Sequence, residues 1–245
     1  MNQADYVISV FRRHYDAAQP PPGFACLELG PGDSLASVLV SKAFGASAVY
    51  LVDAGDYASR DPAIYTAVAA RLRELGMAPH APPVGRFAEM LRSSGAQYHT
   101  GGLRSLREIP SACVDLVWSQ AVLEHVPRAE FLETLVEMRR VLRPHGVATH
   151  QVDLRDHLGG ALNSLRFSDN AWEGRLMSHS GFYTNRIRFQ EMLTLFDRAG
   201  FAADVRQRDQ WQAVPTPRDR MARQFRGLSD DDLRVASFFV LLRPK

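Results

Sequence analysis

Cysteine is scarce: two in 245 residues, too few for a disulfide framework or a cysteine-rich zinc site. Cys26 falls inside an apolar run and Cys113 just ahead of another, positions expected of reduced core or near-core thiols. No apolar stretch approaches the roughly 20 residues needed to cross a bilayer. No secretory leader opens the chain, so a cytoplasmic protein without a membrane partner is expected. An excess of one charge is also missing. Lys+Arg total 29 and Asp+Glu 27, a formal net charge of +2, so no global field calls for nucleic acid. The local run Arg218, Arg220, Arg223 and Arg226 could touch an anionic substrate but reads first as a solvated face. Repeats and low-complexity tracts are absent, and the length suits one α/β sheet with insertions.

The most informative stretch is Cys26-Leu27-Glu28-Leu29-Gly30-Pro31-Gly32-Asp33-Ser34. It is an apolar strand carrying an acid, then a glycine turn, followed by a second strand, Ala48-Val49-Tyr50-Leu51-Val52, that ends in Asp53. Such a strand, turn, helix and strand, with a carboxylate at the second tip, holds a nucleoside-bearing cofactor in an open α/β sheet. Gly30 and Gly32 fit the first two positions of the dinucleotide fingerprint. The third is Leu35, too bulky for the close helix approach that glycine allows, which disfavours a nicotinamide-dependent oxidoreductase.

Read as E-x-G-x-G followed by a small residue, the same stretch resembles motif I of the class I S-adenosylmethionine (SAM)-dependent methyltransferases, with Ser34 in place of the usual third glycine. Serine there can cap the next helix. Val114-Asp115-Leu116-Val117-Trp118-Ser119, running into Gln120-Ala121-Val122-Leu123-Glu124-His125-Val126, resembles the family's fourth strand and its L-E-H-V segment. Arg139 to Val147 resembles its helix, R-x-L-x-P-x-G turn and fifth strand. The motifs occur in the family's order across residues 24 to 153.

The resemblance implies a Rossmann-like, doubly wound, seven-stranded sheet, mostly parallel with one antiparallel strand and helices on both faces. A single domain over 1–245 is expected, with a helical cap at 1–22 and insertions at 54–96 and 158–188. Helical spacing at Tyr6, Val7, Val10, Phe11 and His14, stopped by Pro20-Pro21-Pro22-Gly23, predicts the cap, which either covers a cleft or packs on the sheet. Ile64, Val68, Leu72 and Leu75 predict a helix in the first insertion, with a loop over Pro79 to Pro83 and a short helix around Phe87 to Leu91. Phe131, Leu135, Met138 and Leu142 predict a helix with one face on the sheet, and Phe189, Met192, Leu193 and Phe196 another ended by Gly200. Phe201 to Val205 and Val235 to Leu242 read as two final antiparallel strands.

By motif match the resemblance places Glu28, Gly30, Gly32 and Asp53 against SAM, with Asp53 on the ribose hydroxyls. Gly101, Gly102 and Leu103, past the third strand, are adenine-side candidates; Ser119 and Gln120 could line the methionine side. Ligands sit at the carboxyl ends of strands in such sheets, which singles out the residues after the fourth and fifth strands. A hydroxyl acceptor needs a base near neutral pKa, and His125, His150 and His157 compete for that role. His150, Asp153, Asp156 and His157 also invite a metal reading, disfavoured because His150 and Asp153 have opposite parities on one strand; no metal is expected. In the second insertion, amides and rings interleave at Asn163, Arg166, Phe167, Asn170, Trp172, His179, Phe182, Tyr183 and Asn185, a composition that can bind a sugar or polar aromatic acceptor.

The expectation is methyl transfer from SAM to an oxygen or nitrogen of a small molecule: a sugar, sugar nucleotide or secondary metabolite. The alternatives are a non-catalytic SAM-binding assembly protein, or a protein or RNA methyltransferase. A homodimer stays open.

Overall fold

The computed structural model describes residues 3–77 and 87–245; the loop expected over Pro79 to Pro83 lies outside them. Seven strands run β1 (Ala25–Leu29), β2 (Ala48–Val52), β3 (Ala96–His99), β4 (Val114–Gln120), β5 (Leu142–Asp153), β6 (Phe201–Gln210) and β7 (Val235–Pro244). Their order in the sheet is β3-β2-β1-β4-β5-β7-β6, a doubly wound arrangement that reverses direction next to β1. Contacts divide the chain into two compact units. The first contains residues 1–120 and 136–149, the second 121–135 and 150–243.

In the first unit β1 pairs in parallel with both β2 and β4, and β2 with β3. All five residues of β1 are buried, as a strand covered on both faces requires. Helix α1 (Gln3–Ala18) packs on α2 (Ser37–Ala43), α3 (Pro62–Glu74) and β4. Its buried stripe is Ala4, Ile8, Phe11, His14 and Ala18; it keeps Phe11 and His14 of the set read from the sequence, whereas Val7 and Val10 are half-buried and Tyr6 is exposed. The anchor is Phe11, whose ring meets Phe44 and Trp118 edge-on at 5.2 and 5.5 Å. Asp61 caps α3 by accepting the Ala63 N–H at 2.9 Å, with Pro62 at the first helical position, a pairing that starts helices well. Helix α4 (Phe87–Ser93) precedes β3, and α5 (Leu103–Glu108) follows it.

Helix α6 (Phe131–Val141) leads into β5, which begins at Leu142 and so includes Pro144, where the sequence predicts a turn. The backbone bonds Ala112 N to Arg140 O and Cys113 N to Val141 O, both 2.9 Å, carry the pairing upstream. Arg143, Pro144 and His145 are exposed, so the missing proline N–H is lost where water can reach.

In the second unit the insertion forms two single-turn helices, α7 (Asp169–Trp172) and α8 (Arg175–Ser178), followed by α9 (Phe189–Arg198), which buries Phe189, Met192 and Phe196. β6 and β7 run antiparallel, as the bonds Trp211 N to Arg234 O and Lys245 N to Gly200 O require. β6 is an edge strand, exposed along most of its length and carrying Arg206, Arg208 and Asp209, charges that discourage edge-to-edge pairing. After the short α10 (Asp230–Leu233), the unit is tied together by Arg188. Its buried guanidinium donates to the carbonyls of Leu154 (2.8 Å), Asp232 (3.3 Å), Leu233 (3.3 Å) and Val235 (2.6 Å). Among the described residues no helix is long and apolar enough to cross a membrane.

Removing the Arg188 donor would leave several buried carbonyls without partners. Arg188→Met is expected to cost about 3–5 kcal/mol of stability in urea unfolding. Arg188→Lys should not restore it, because an ammonium lacks the planar fork that spans these carbonyls.

Candidate active site

Register builds the glycine turn of the first unit. Leu29 pairs with Val52 and Glu28 with Trp118, so the residues that follow β1, β2 and β4 leave the sheet at one edge. The Gly30 N–H donates to the Val52 carbonyl at 2.8 Å, locking the turn to β2. Gly30 and Gly32 both have positive φ, 66° and 69°, which glycine adopts without cost. A Cβ built on Gly32 would meet nothing within 4 Å, so an open space lies beside the turn.

Asp53 closes this loop. Its Oδ2 accepts the Gly32 N–H at 2.9 Å and its Oδ1 the Ala54 N–H at 2.7 Å, leaving further lone pairs on each oxygen for hydroxyl donors. Its own carbonyl accepts the Gly102 N–H at 2.8 Å, and the Gly101 N–H goes to Ser105 Oγ at 2.9 Å. The β3 turn is therefore fastened to the same carboxylate-bearing residue, with Leu103 opening α5 beside it. Glu28 is buried and accepts the Ser37 hydroxyl. Burial pushes its carboxyl up to about 8, the Ser37 hydrogen bond opposes the rise and the Asp53 charge adds to it. Ser34 Oγ accepts the Ala36 N–H at 3.2 Å. It shapes the turn and does not cap α2, whose N-cap is Ala36. Ser119 is fully buried, while Gln120, the last residue of β4, is half-buried.

In the second unit the His125 and His157 rings lie with centroids 5.1 Å apart, tilted at 37°. His125 Nδ1 lies 3.0 Å from the Tyr183 carbonyl. A carbonyl only accepts, so Nδ1 carries the proton and the neutral ring keeps its lone pair on Nε2. Desolvation by the surrounding packing lowers the His125 pKa, against the opposing pull of that carbonyl. Tyr183 is held in turn, its hydroxyl donating to Glu173 at 2.8 Å and accepting the Arg128 N–H at 3.2 Å. The Asn185 amide donates to the carbonyls of Leu123 (2.8 Å) and Val126 (3.0 Å), bracketing the L-E-H turn. Sequence reasoning missed Tyr183 and Asn185 as supports of His125. Their separation of nearly 60 residues from the turn leaves no local signal.

The methyltransferase domain family matches residues 27–149. The chain belongs to the class I SAM-dependent methyltransferases. Similar solved structures include an S-adenosylmethionine-dependent methyltransferase from Mesorhizobium loti, 17% identical over 95% of this chain and 96% of that one, with TM-score 0.51. The YcgJ protein of Bacillus subtilis is 15% identical over 98% and 99%, with TM-score 0.51. A chain from the complex of the Haloferax volcanii Trm112 methyltransferase activator with a methyltransferase is 15% identical over 98% and 93%, with TM-score 0.50. At such identities these likenesses speak for the fold. A search of curated proteins finds no match. The enzyme's cofactor is SAM, and the glycine turn with a buried, doubly anchored Asp53 beside open space fits a ribosyl group.

His150 is fully buried on β5, whereas His157 is exposed. The Asp153 carboxylate pairs with Arg155 at 2.7 Å. Asp156 accepts the N–H groups of Leu158 (2.9 Å), Ser164 (3.1 Å) and Ala161 (3.4 Å). Among the described residues no group of three or more His, Cys, Asp or Glu is placed to hold a metal ion. Within the insertion, Asn163 donates to the Leu158 carbonyl and buried Trp172 to that of Thr184. Phe167 and Phe182 remain exposed, at 41% and 51%. Arg218 pairs with Asp230, and Arg226 holds the Met221 and Asp219 carbonyls, so these two arginines of the basic run are occupied internally.

Glu124 is 3% exposed. Its Oε1 accepts the Asp153 N–H at 3.3 Å, and burial, aided by the Asp153 charge, pushes its pKa up to about 8 from 4.5. The folded chain thus keeps a proton that the unfolded chain releases. The resulting stability is full below pH 4.5 and is lost as pH rises towards 8. Urea unfolding of wild type and Glu124→Gln should show the variant gaining on wild type by about 1 kcal/mol or more between pH 5 and 8; a constant difference would refute the buried proton.

Proposed function

We propose that the enzyme methylates an oxygen or nitrogen of a small molecule, such as a sugar, sugar nucleotide or secondary metabolite, with His125 as the general base. The observation that carries this reading is the fixed tautomer of His125, whose Nδ1–H is committed to the Tyr183 carbonyl. SAM supplies an electrophilic methyl group on a sulfonium, open to in-line displacement. Asp53 takes the ribose hydroxyls, the Gly30 to Gly32 backbone passes the methionine end, and Glu28 braces the turn through Ser37. Gly101, Gly102 and Leu103 border the adenine, and Ser119 and Gln120 the methionine side. His125 Nε2 receives the acceptor's proton, and His157 packs against the ring that becomes charged. Buried His150 is the weakest of the three candidate bases. The exposed Phe167 and Phe182 offer ring faces to an acceptor. The near-balanced charge supports a small acceptor over nucleic acid.

Cofactor assignment is tested by calorimetry. Two hydrogen bonds to a charged group are worth about 1.5–3 kcal/mol each, so Asp53→Ala should weaken SAM and S-adenosylhomocysteine binding roughly 100-fold or more. Unchanged affinity would remove Asp53 from the site.

The base is tested by screening hydroxyl and amine acceptors, with protein and RNA acceptors alongside, for S-adenosylhomocysteine release. With a hydroxyl acceptor, His125→Asn should lower kcat about 10²–10⁴-fold and erase the acid limb of the pH profile. Because the His125 pKa is lowered, that limb lies below 6.5. Full turnover with an unshifted limb would sink the assignment.

A further inference from the structure

His14 lies on α1, outside every motif, yet it is fully buried. Its ring packs 5.1 Å from that of Trp118, its Nδ1 lies 2.9 Å from Thr149 Oγ1, and its Nε2 lies 3.4 Å from Gln120 Oε1. An amide oxygen can only accept, so Nε2 carries the ring proton; Nδ1 then accepts from the Thr149 hydroxyl. Burial pushes the pKa down to about 3, so the ring is neutral and this tautomer persists across the working pH range. The Thr149 contact is short and anchors the ring. The Gln120 contact is at the long end for a hydrogen bond and acts by orientation. With Oε1 turned to His14, the Gln120 amide keeps both N–H protons for another acceptor.

We propose that His14 is a positioning residue for the cofactor: through Gln120 it aims an amide donor at the carboxylate of the amino-acid end of SAM. This rests on the reading that Gln120 lines the methionine side. The helix read from sequence as a cap thereby reaches cofactor recognition through a buried hydrogen-bond chain from Thr149 through His14 to Gln120. A neutral imidazole suits the task, because it fixes the amide without adding a buried charge.

The test compares SAM and S-adenosylhomocysteine with 5′-methylthioadenosine, a nucleoside lacking the amino-acid end, by calorimetry on the protein without added cofactor. Gln120→Ala and His14→Leu should each weaken the first two ligands about 10–100-fold, the range of one hydrogen bond to a charged group. Both should leave methylthioadenosine within about twofold, and the double variant should be no worse than Gln120→Ala alone. Thr149→Val, which removes only the anchoring hydroxyl, carries the same comparison should His14→Leu fail to fold. Equal losses for all three ligands would make His14 merely structural, and additive losses in the double variant would show that it does not act through Gln120; either overturns the inference. If Gln120→Ala leaves SAM binding intact, the methionine-side reading falls and the inference with it. If Gln120→Ala weakens SAM while His14→Leu and Thr149→Val do not, the inference alone falls.

Discussion

The structure of the cofactor site depends on one carboxylate. Asp53 joins the glycine turn after β1 to the start of the segment after β2 through two backbone N–H groups, and its carbonyl fastens the turn after β3. Three strand ends are thereby held in one constellation by a single residue at the tip of β2. The parallel register of β1 with β2 brings Gly30 and Asp53 level, so the carboxylate needs no distortion to reach. Backbone donors orient the acid and leave lone pairs on each oxygen, so the group that organises the turn is also the one proposed to take the ribose hydroxyls.

The second unit solves a different problem. It must hold an irregular insertion together without a long helix or strand, and it does so with buried polar side chains that bond to backbone carbonyls. Arg188 gathers carbonyls from Leu154 and the approach to β7. Arg186, itself at positive φ, pairs with Asp169 and lies over the rings of Trp172 and Phe225. Asn185 brackets the turn that carries His125. Such groups are costly to bury and so must be satisfied, which makes the local structure unique. His125 inherits that order through the Tyr183 carbonyl.

Much of the architecture was legible because it rests on short-range rules. Gly30 and Gly32 announce a positive-φ turn, the apolar runs around them announce buried parallel strands, and Phe131, Leu135 and Met138 announce a helix face by period. Where a local rule misled, packing had the deciding vote. Pro144 reads as a turn, yet β5 extends through it because its neighbours there face solvent. Tyr6 fits an apolar stripe, but Ala4 and Ile8 occupy the buried face. The amides of the second insertion read as ligand contacts by composition, and the fold spends most of them on its own carbonyls.

The sequence by itself determined the strand and turn order and the cofactor family, because these depend on backbone conformation and periodicity within a few residues. Only the tertiary structure decided which distant polar side chains meet one another. His14 meets residues 106 and 135 positions away, and His125 takes its tautomer from a carbonyl 58 positions away. No local period encodes such pairings; a hydrogen bond exists only once the fold has brought donor and acceptor together and excluded water from between them.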